Sequence, residues 1–138
     1  MNVFNRLLVL MSCAFVCAAL QAAPMARIVA VGDFDSVNVG QDGYCGRRTD
    51  VPSSDWKNIL VRGNEQVWFQ LKAVVHSTSF KTTCEGDYSF FPGAGKAYII
   101  RFSMDAMACR FELFRVIPNA DPVREPLVRS ESQSCLFK

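Results

Sequence analysis

Alternation of apolar and polar residues with a period of two is the feature that most constrains how this chain folds. Val67, Phe69, Leu71 and Ala73 alternate with more polar side chains, and residues 98–104 repeat the pattern. A period of two places successive side chains on opposite faces of a strand, whereas a helix needs a period near 3.6. No segment after the first 22 residues keeps helical spacing for three turns, so the alternation predicts strands.

Turn residues separate these apolar runs along the chain. A first strand is predicted over "RIVAVG" (residues 27–32), a mostly irregular stretch over residues 33–55, and a last short strand near the end of the chain. Tight turns are predicted at Gly63–Asn64 and at Glu85–Asp87. Seven or eight short strands at this spacing predict an all-β fold, an immunoglobulin-like or similar antiparallel β-sandwich.

The first 22 residues have the layout of a secretory signal peptide. Arg6 precedes a charge-free apolar run from Leu7 to Leu20, and the small residues Ala22 and Ala23 follow. The run is about 14 residues long, shorter than the roughly 20 that a membrane span requires. We therefore expect cleavage after Ala22 or Ala23, no transmembrane span in the mature protein, and a single domain over residues 23–138.

A lipoprotein signal is the alternative at this end of the chain. "LMSC" (Leu10 to Cys13) loosely matches the pattern in which the cysteine is acylated. The apolar run continues past Cys13, however, where a lipoprotein normally becomes polar. We therefore expect a periplasmic or secreted protein in preference to a lipid-anchored one.

Four cysteines remain after the leader: Cys45, Cys84, Cys109 and Cys135. An even number in a small exported domain predicts two disulfide bonds. Spacing alone leaves three pairings open, of which we favour Cys45 with Cys84 and Cys109 with Cys135. The sequence has no C-x-x-C pair and only one histidine, His76, so we expect no metal site and no cofactor.

Charge argues against a nucleic-acid partner. The whole chain carries 15 basic and 13 acidic residues, and cleavage of the leader removes only Arg6. The mature protein is therefore close to neutral, and it has no run of Lys and Arg that would attract a phosphate backbone.

The segment "FFPGAGKAY" (residues 90–98) contains the letters of a phosphate-binding loop but lacks its essential parts. Phe90 stands where a Walker loop has its first glycine, and Ala97 stands where it has Ser or Thr. A helix must follow such a loop to direct amides at the phosphate, whereas "YIIRF" predicts a strand. We therefore expect no nucleotide site here.

A structural corner explains the same segment better. Aromatic residues, a Pro-Gly pair and then a tyrosine at the start of a strand resemble the tyrosine corner of β-sandwiches, where the hydroxyl bonds backbone a few residues upstream. Pro92 presets φ, and Gly93 or Gly95 can supply positive φ. We expect Tyr98 to make that hydrogen bond.

Candidate partner contacts are few. Trp68 falls opposite Phe69 in its strand, and it either packs in a second layer or anchors a partner. Tyr44, Arg47 and Arg48 form a second candidate contact surface. No Ser–His–Asp or Cys–His pattern accompanies His76, so we predict no catalytic residue.

Several of these features together resemble a group of small uncharacterised exported proteins and lipoproteins of proteobacteria. The resemblance depends on four features: "ARIVAVG", "GYCG", a cysteine before F-x-P-x-x-G-x-x-Y, and Cys109 on the strand after Tyr98. Gly93 departs from the acidic residue common in that group. The resemblance implies an envelope location and a β-rich fold, and it supplies no activity and no functional residues.

The function expected from these observations is non-enzymatic binding in the cell envelope. The partner would be an envelope protein or polymer, and an inhibitor or immunity protein is the specific version. The alternative is a periplasmic hydrolase that uses a carboxylate pair, because such pairs meet in space and leave no sequence pattern.

Overall fold

The computed structural model describes residues 23–131 and Cys135 and confirms the predicted all-β sandwich. The predicted signal peptide, residues 1–22, lies outside the described residues. The strands are β1 Met25–Val31, β2 Phe34–Gly40, β3 Thr49–Asp50, β4 Ile59–Arg62, β5 Val67–His76, β6 Lys81–Phe90, β7 Ala97–Asp105, β8 Ala108–Arg115, β9 Val123–Glu125 and β10 Val128–Arg129. A 3₁₀ turn spans Ser53–Asp55.

The strands form two sheets that pack face to face. Sheet 1 has the order β4-β1-β7-β8-β9, and sheet 2 has the order β10-β6-β5-β2-β3. All neighbours are antiparallel except β1 and β7, which run parallel. The alternating side chains of the inner faces make the core, in which Ile28, Phe69, Leu71, Ile100 and Leu113 are all at most 1% exposed.

The predicted tight turn at Gly63–Asn64 joins two strands that lie in different sheets, β4 in sheet 1 and β5 in sheet 2. Asn64 adopts a positive φ of 59°. Its amide nitrogen donates to the Pro92 carbonyl at 2.7 Å, and its side-chain oxygen accepts from the Ala94 amide at 3.2 Å. The turn therefore connects the sheets and is held against the neighbouring corner.

One other expectation about local structure is wrong, and a second is only partly right. Residues 85–87 lie inside β6, and the turn before that strand is closed by a hydrogen bond from Ser77 N to Phe80 O. Residues 33–55, expected to be mostly irregular, do lie mostly outside strands, but they contain β2, which buries Phe34 and Val37. A register shift between Phe34 and Ser36 breaks the alternation there, so the sequence does not show a period of two.

Residues 91–96 form the corner at which the chain leaves sheet 2 and enters sheet 1. The Tyr98 hydroxyl accepts a hydrogen bond from the Gly93 amide at 2.8 Å, and Gly95 has a φ of +70°. The Gly95 amide donates to Met25 O and the Lys96 amide to Gly93 O. These backbone amides, which a phosphate loop would direct at a ligand, are thus used to fix the corner.

The two expected disulfides are confirmed, but the favoured pairing is wrong. Cys84 pairs with Cys109, which links β6 to β8 across the two sheets with a Cα–Cα distance of 5.8 Å. Cys45 pairs with Cys135 at 5.5 Å and ties loop 41–48 to the segment after β10. Which strands face each other is a property of the packed sheets, and cysteine spacing does not reveal it.

Candidate functional site

Tyr44, Arg48 and Trp68, three of the four predicted contact residues, meet on the outer side of sheet 2. The half-buried Trp68 ring meets the Tyr44 ring edge to face, with centroids 5.7 Å apart. The Arg48 guanidinium lies over the Tyr44 ring at 5.4 Å and donates to the Tyr44 carbonyl. Arg48 also forms an ion pair with Asp87 of β6.

These contacts attach loop 41–48 to the sheet beneath it. Arg48 points inward, and its side chain is only 15% exposed. Its sequence neighbour Arg47 is exposed and lines a separate shallow cleft of about 240 Å³ with Leu60 and Arg62. The loop is closed by the Cys45–Cys135 bond, so this group mainly joins parts of the same chain. Contact of these residues with a partner stays a prediction.

The outer face of sheet 1 has a different composition. Strand register aligns Val29, Ile99, Phe114 and Arg124 in one row and Val31, Arg101 and Glu112 in the next. Val31 is 45% exposed and Leu60, on β4, is 55% exposed. We call this surface the arginine–aliphatic face; its members are Arg27, Val29, Val31, Leu60, Ile99, Arg101, Glu112, Phe114 and Arg124.

Two hollows flank Val31 on this face. One, of about 340 Å³, is lined by Val31, Ile99, Arg101, Phe114 and Pro122. The other, of about 550 Å³, lies towards Arg27, Val29 and Trp56. Both are open, and their floors are mainly apolar, so each can receive a side chain of a docked molecule.

Glu112 organises the arginines of the face. Its carboxylate accepts a hydrogen bond from Arg101 Nη2 at 2.9 Å and lies 3.2 Å from Arg124 Nη2. The hydrogen bond from Arg101 and the positive charge of Arg124 hold the pKa of Glu112 below its ordinary value. Arg101 in addition lies over the Phe114 ring, 4.7 Å from its centroid. The carboxylate thus stays ionised and orients two guanidinium groups across the sheet.

Sequence reasoning did not identify this face. Alternation in β7 places Ile99 and Arg101 opposite the core side chains, which is correct, but alternation alone does not tell whether an outer face is covered. The usable signal was compositional, because these outward positions carry arginine with Val, Ile and Phe, a mixture that is typical of interfaces.

The described part of the chain offers little to other kinds of site. Within residues 23–131 and Cys135, no group of three or more His, Cys, Asp or Glu side chains could hold a metal ion. The same residues include no helix long and apolar enough to cross a membrane. His76 is exposed at the end of β5.

Comparison with protein-family models, with curated proteins and with solved structures found no match to this chain. The resemblance to small exported proteins of proteobacteria therefore stays a prediction, and function is inferred from the surface itself.

Proposed function

We propose that this protein is a non-enzymatic binding module, exported to the periplasm or secreted, that docks a protein partner on the arginine–aliphatic face. The observation that carries the proposal is the exposure of Val31 next to Arg101, and of Leu60 next to Arg27, on the outer face of one sheet. Exposed aliphatic side chains grouped with arginine are characteristic of protein interfaces.

Rigidity supports a role in binding. A face built on the five strands of one sheet in a disulfide-linked sandwich has little freedom to lose when a partner docks, so less binding free energy is spent on ordering. Arg101 and Arg124 are already oriented by Glu112. An inhibitor or immunity protein, which must cover a site on its target, is the specific form of this proposal.

The two disulfides support the export part of the proposal. Disulfides persist in oxidising compartments, where small domains use them to supplement a limited core. The leader-like residues 1–22 agree with that compartment. We do not propose the hydrolase, because neither the hollows beside Val31 nor the cleft beside Arg47 has two carboxylates in its lining.

Affinity capture from periplasmic extract with matched variants tests the proposal. Val31→Asp places a charge on the arginine–aliphatic face, and Thr83→Asp places one at an exposed β-branched position on the outer side of sheet 2. We expect a partner that the wild type and Thr83→Asp retain and that Val31→Asp loses. Equal recovery with both variants, or no specific partner with the wild type, would contradict the proposal.

A further inference from the structure

We propose that the partner segment docked on the arginine–aliphatic face is an acidic and aliphatic polypeptide. This inference depends on the proposed function, since it specifies the chemistry of the molecule that the same face would bind. Three features of the face support it: uncompensated positive charge, exposed guanidinium groups and apolar hollows beside them.

The face carries more positive than negative charge. Its outward strand positions include Arg27, Arg101 and Arg124, with Glu112 among them; Arg110, farther along β8, pairs with Asp105 at 3.5 Å. The single carboxylate of Glu112 is shared by Arg101 and Arg124. Arg27 donates to a neutral acceptor, the carbonyl oxygen of Lys57, at 3.2 Å. Two or more carboxylates of a partner would therefore complement this surface.

The exposed guanidinium groups can reach such carboxylates. Arg101 and Arg124 have side chains that are 50% and 70% exposed, and each guanidinium has five N–H donors, of which Glu112 uses only part. The planar fork of arginine matches a carboxylate in two-point geometry. Holding the fork in place before binding lowers the entropy lost when the ion pair forms.

The aliphatic part of the partner follows from the hollow beside Arg101. That hollow, of about 340 Å³, is lined by Val31, Ile99 and Phe114 together with Arg101. A leucine-sized side chain fits such a space, and its neighbours in an extended chain would lie near the arginines. A segment that alternates acidic and aliphatic residues satisfies both requirements.

Polypeptide is favoured over a nucleic acid or another polyanion for two reasons. The mature chain is close to neutral, so it lacks the field that gathers a polyanion. Single-stranded nucleic acid binds surfaces with stacking aromatics, whereas the positions between these arginines are mostly aliphatic. A polyanion would leave Val29, Val31 and Ile99 without an apolar partner.

Two synthetic peptides test the inference. Both are end-blocked hexapeptides with leucine or valine at alternate positions; one carries glutamate and the other glutamine at the remaining positions. Titration of ¹⁵N-labelled mature protein, followed by amide chemical shifts, gives the binding site and the affinity. Heparin serves as a polyanion without aliphatic groups.

The expected result is a set of shifts at Val31, Ile99 and Phe114 and an affinity for the glutamate peptide at least about fivefold higher than for the glutamine peptide, as an ion pair of about 1 kcal/mol gives. The preference should fall as salt is added. Arg101→Gln with Arg124→Gln should abolish it, while Lys72→Gln with Lys81→Gln on sheet 2 should leave it intact.

Other outcomes overturn the inference and are distinguishable from failure of the proposed function. Equal affinities of the two peptides at this face would leave docking standing and remove the acidic preference. Heparin binding there more tightly than the glutamate peptide would point to a polyanion. No shift with either peptide would reject the chemistry proposed here, while capture with Val31→Asp and Thr83→Asp would still decide whether the face binds a partner.

Discussion

The two outer faces of the sandwich differ in how far the chain covers their apolar side chains. On sheet 2, Trp68 is packed under Tyr44, and loop 41–48 is held there by the Cys45–Cys135 bond and the Arg48–Asp87 ion pair. On sheet 1, Val31 and Leu60 remain exposed beside arginines. The chain thus covers the aromatic residue of one face and leaves an interface-like composition on the other.

The uncovered parts of the two faces also differ in the kind of polar residue they carry. Outward positions of sheet 2 include Gln70, Lys72, Thr83 and Glu85, which are ordinary solvated residues. Outward positions of sheet 1 carry arginine. Lysine and glutamate are depleted at interfaces and arginine is enriched, so composition and coverage both support the proposal that a partner docks on sheet 1.

The largest expected effect comes from opening the Cys45–Cys135 disulfide, which holds loop 41–48 over the outer face of sheet 2. The double substitution Cys45→Ser, Cys135→Ser opens a link that spans 90 residues. Loop-closure entropy predicts a loss of about 4 to 5 kcal/mol in the free energy of unfolding. Urea denaturation measures the loss, and acrylamide quenching of Trp68 fluorescence in a Trp56→Phe background reports whether the ring becomes accessible.

The matched control is Cys84→Ser with Cys109→Ser, which opens a link of 25 residues between the sheets. Its expected cost is about 3 to 4 kcal/mol, without a comparable rise in Trp68 quenching of the folded protein. If both pairs increase quenching equally, the Cys45–Cys135 bond is not what holds loop 41–48 in place.

The next largest effect is expected from the Arg48–Asp87 ion pair, which joins loop 41–48 to β6. Asp87→Ala leaves the Arg48 guanidinium in a half-buried position without its carboxylate. A charge left in such a place costs about 2 kcal/mol, since hydrogen bonds to charged groups contribute about 1.5 to 3 kcal/mol. Thermal or urea unfolding measures the change.

Asp35→Ala is the control for Asp87→Ala. Asp35 pairs with Lys72 at 3.2 Å on the open part of the same face, where both side chains are well exposed. Its removal should cost less than about 1 kcal/mol. Equal losses for Asp35→Ala and Asp87→Ala would show that loop 41–48 does not shield the Arg48–Asp87 pair.

A smaller effect is expected from the contact between the Tyr44 and Trp68 rings. A double-mutant cycle with Trp68→Ala and Tyr44→Ala should give a coupling free energy of about 0.5 to 1.5 kcal/mol, because the rings meet edge to face. A coupling near zero would mean that Tyr44 does not hold the Trp68 ring. It would favour the alternative interpretation, in which Trp68 anchors a partner.

The smallest effect is expected on the arginine–aliphatic face. The pKa of Glu112 is lowered in the folded protein, so its contribution to stability is present above the unfolded pKa of the carboxyl group and is lost as pH falls through the lower folded pKa. Glu112→Gln should therefore reduce the free energy of unfolding at neutral pH by a few tenths of a kcal/mol. In acid, below the folded pKa, wild type and variant should converge; a constant difference at every pH would contradict this account.

Regular strands were predictable because each buries one face. The alternation in β5 and β7 correctly assigns Phe69 and Ile100 to the core. The β2 strand was missed because its register shift between Phe34 and Ser36 removes the period of two. Local patterns therefore succeed where the ladder is regular and fail at a bulge.

The candidate site was less predictable because coverage is a long-range property. Arg47 and Arg48 are adjacent in sequence, yet only Arg48 reaches Asp87, a residue of a distant strand. The exposure of Val31 likewise depends on which segments cross sheet 1. No local pattern contains that information, and the disulfide pairing was misjudged for the same reason.

Site-specific photo-crosslinking in secreting cells tests the central claim most directly. p-Benzoylphenylalanine is introduced one position at a time, at Val31 and Ile99 on sheet 1 and at Trp68 and Thr83 on sheet 2, and adducts are detected after irradiation. The account predicts one discrete adduct from both sheet 1 positions and none from the sheet 2 positions. An adduct from Trp68 or Thr83, with none from Val31 and Ile99, would contradict it.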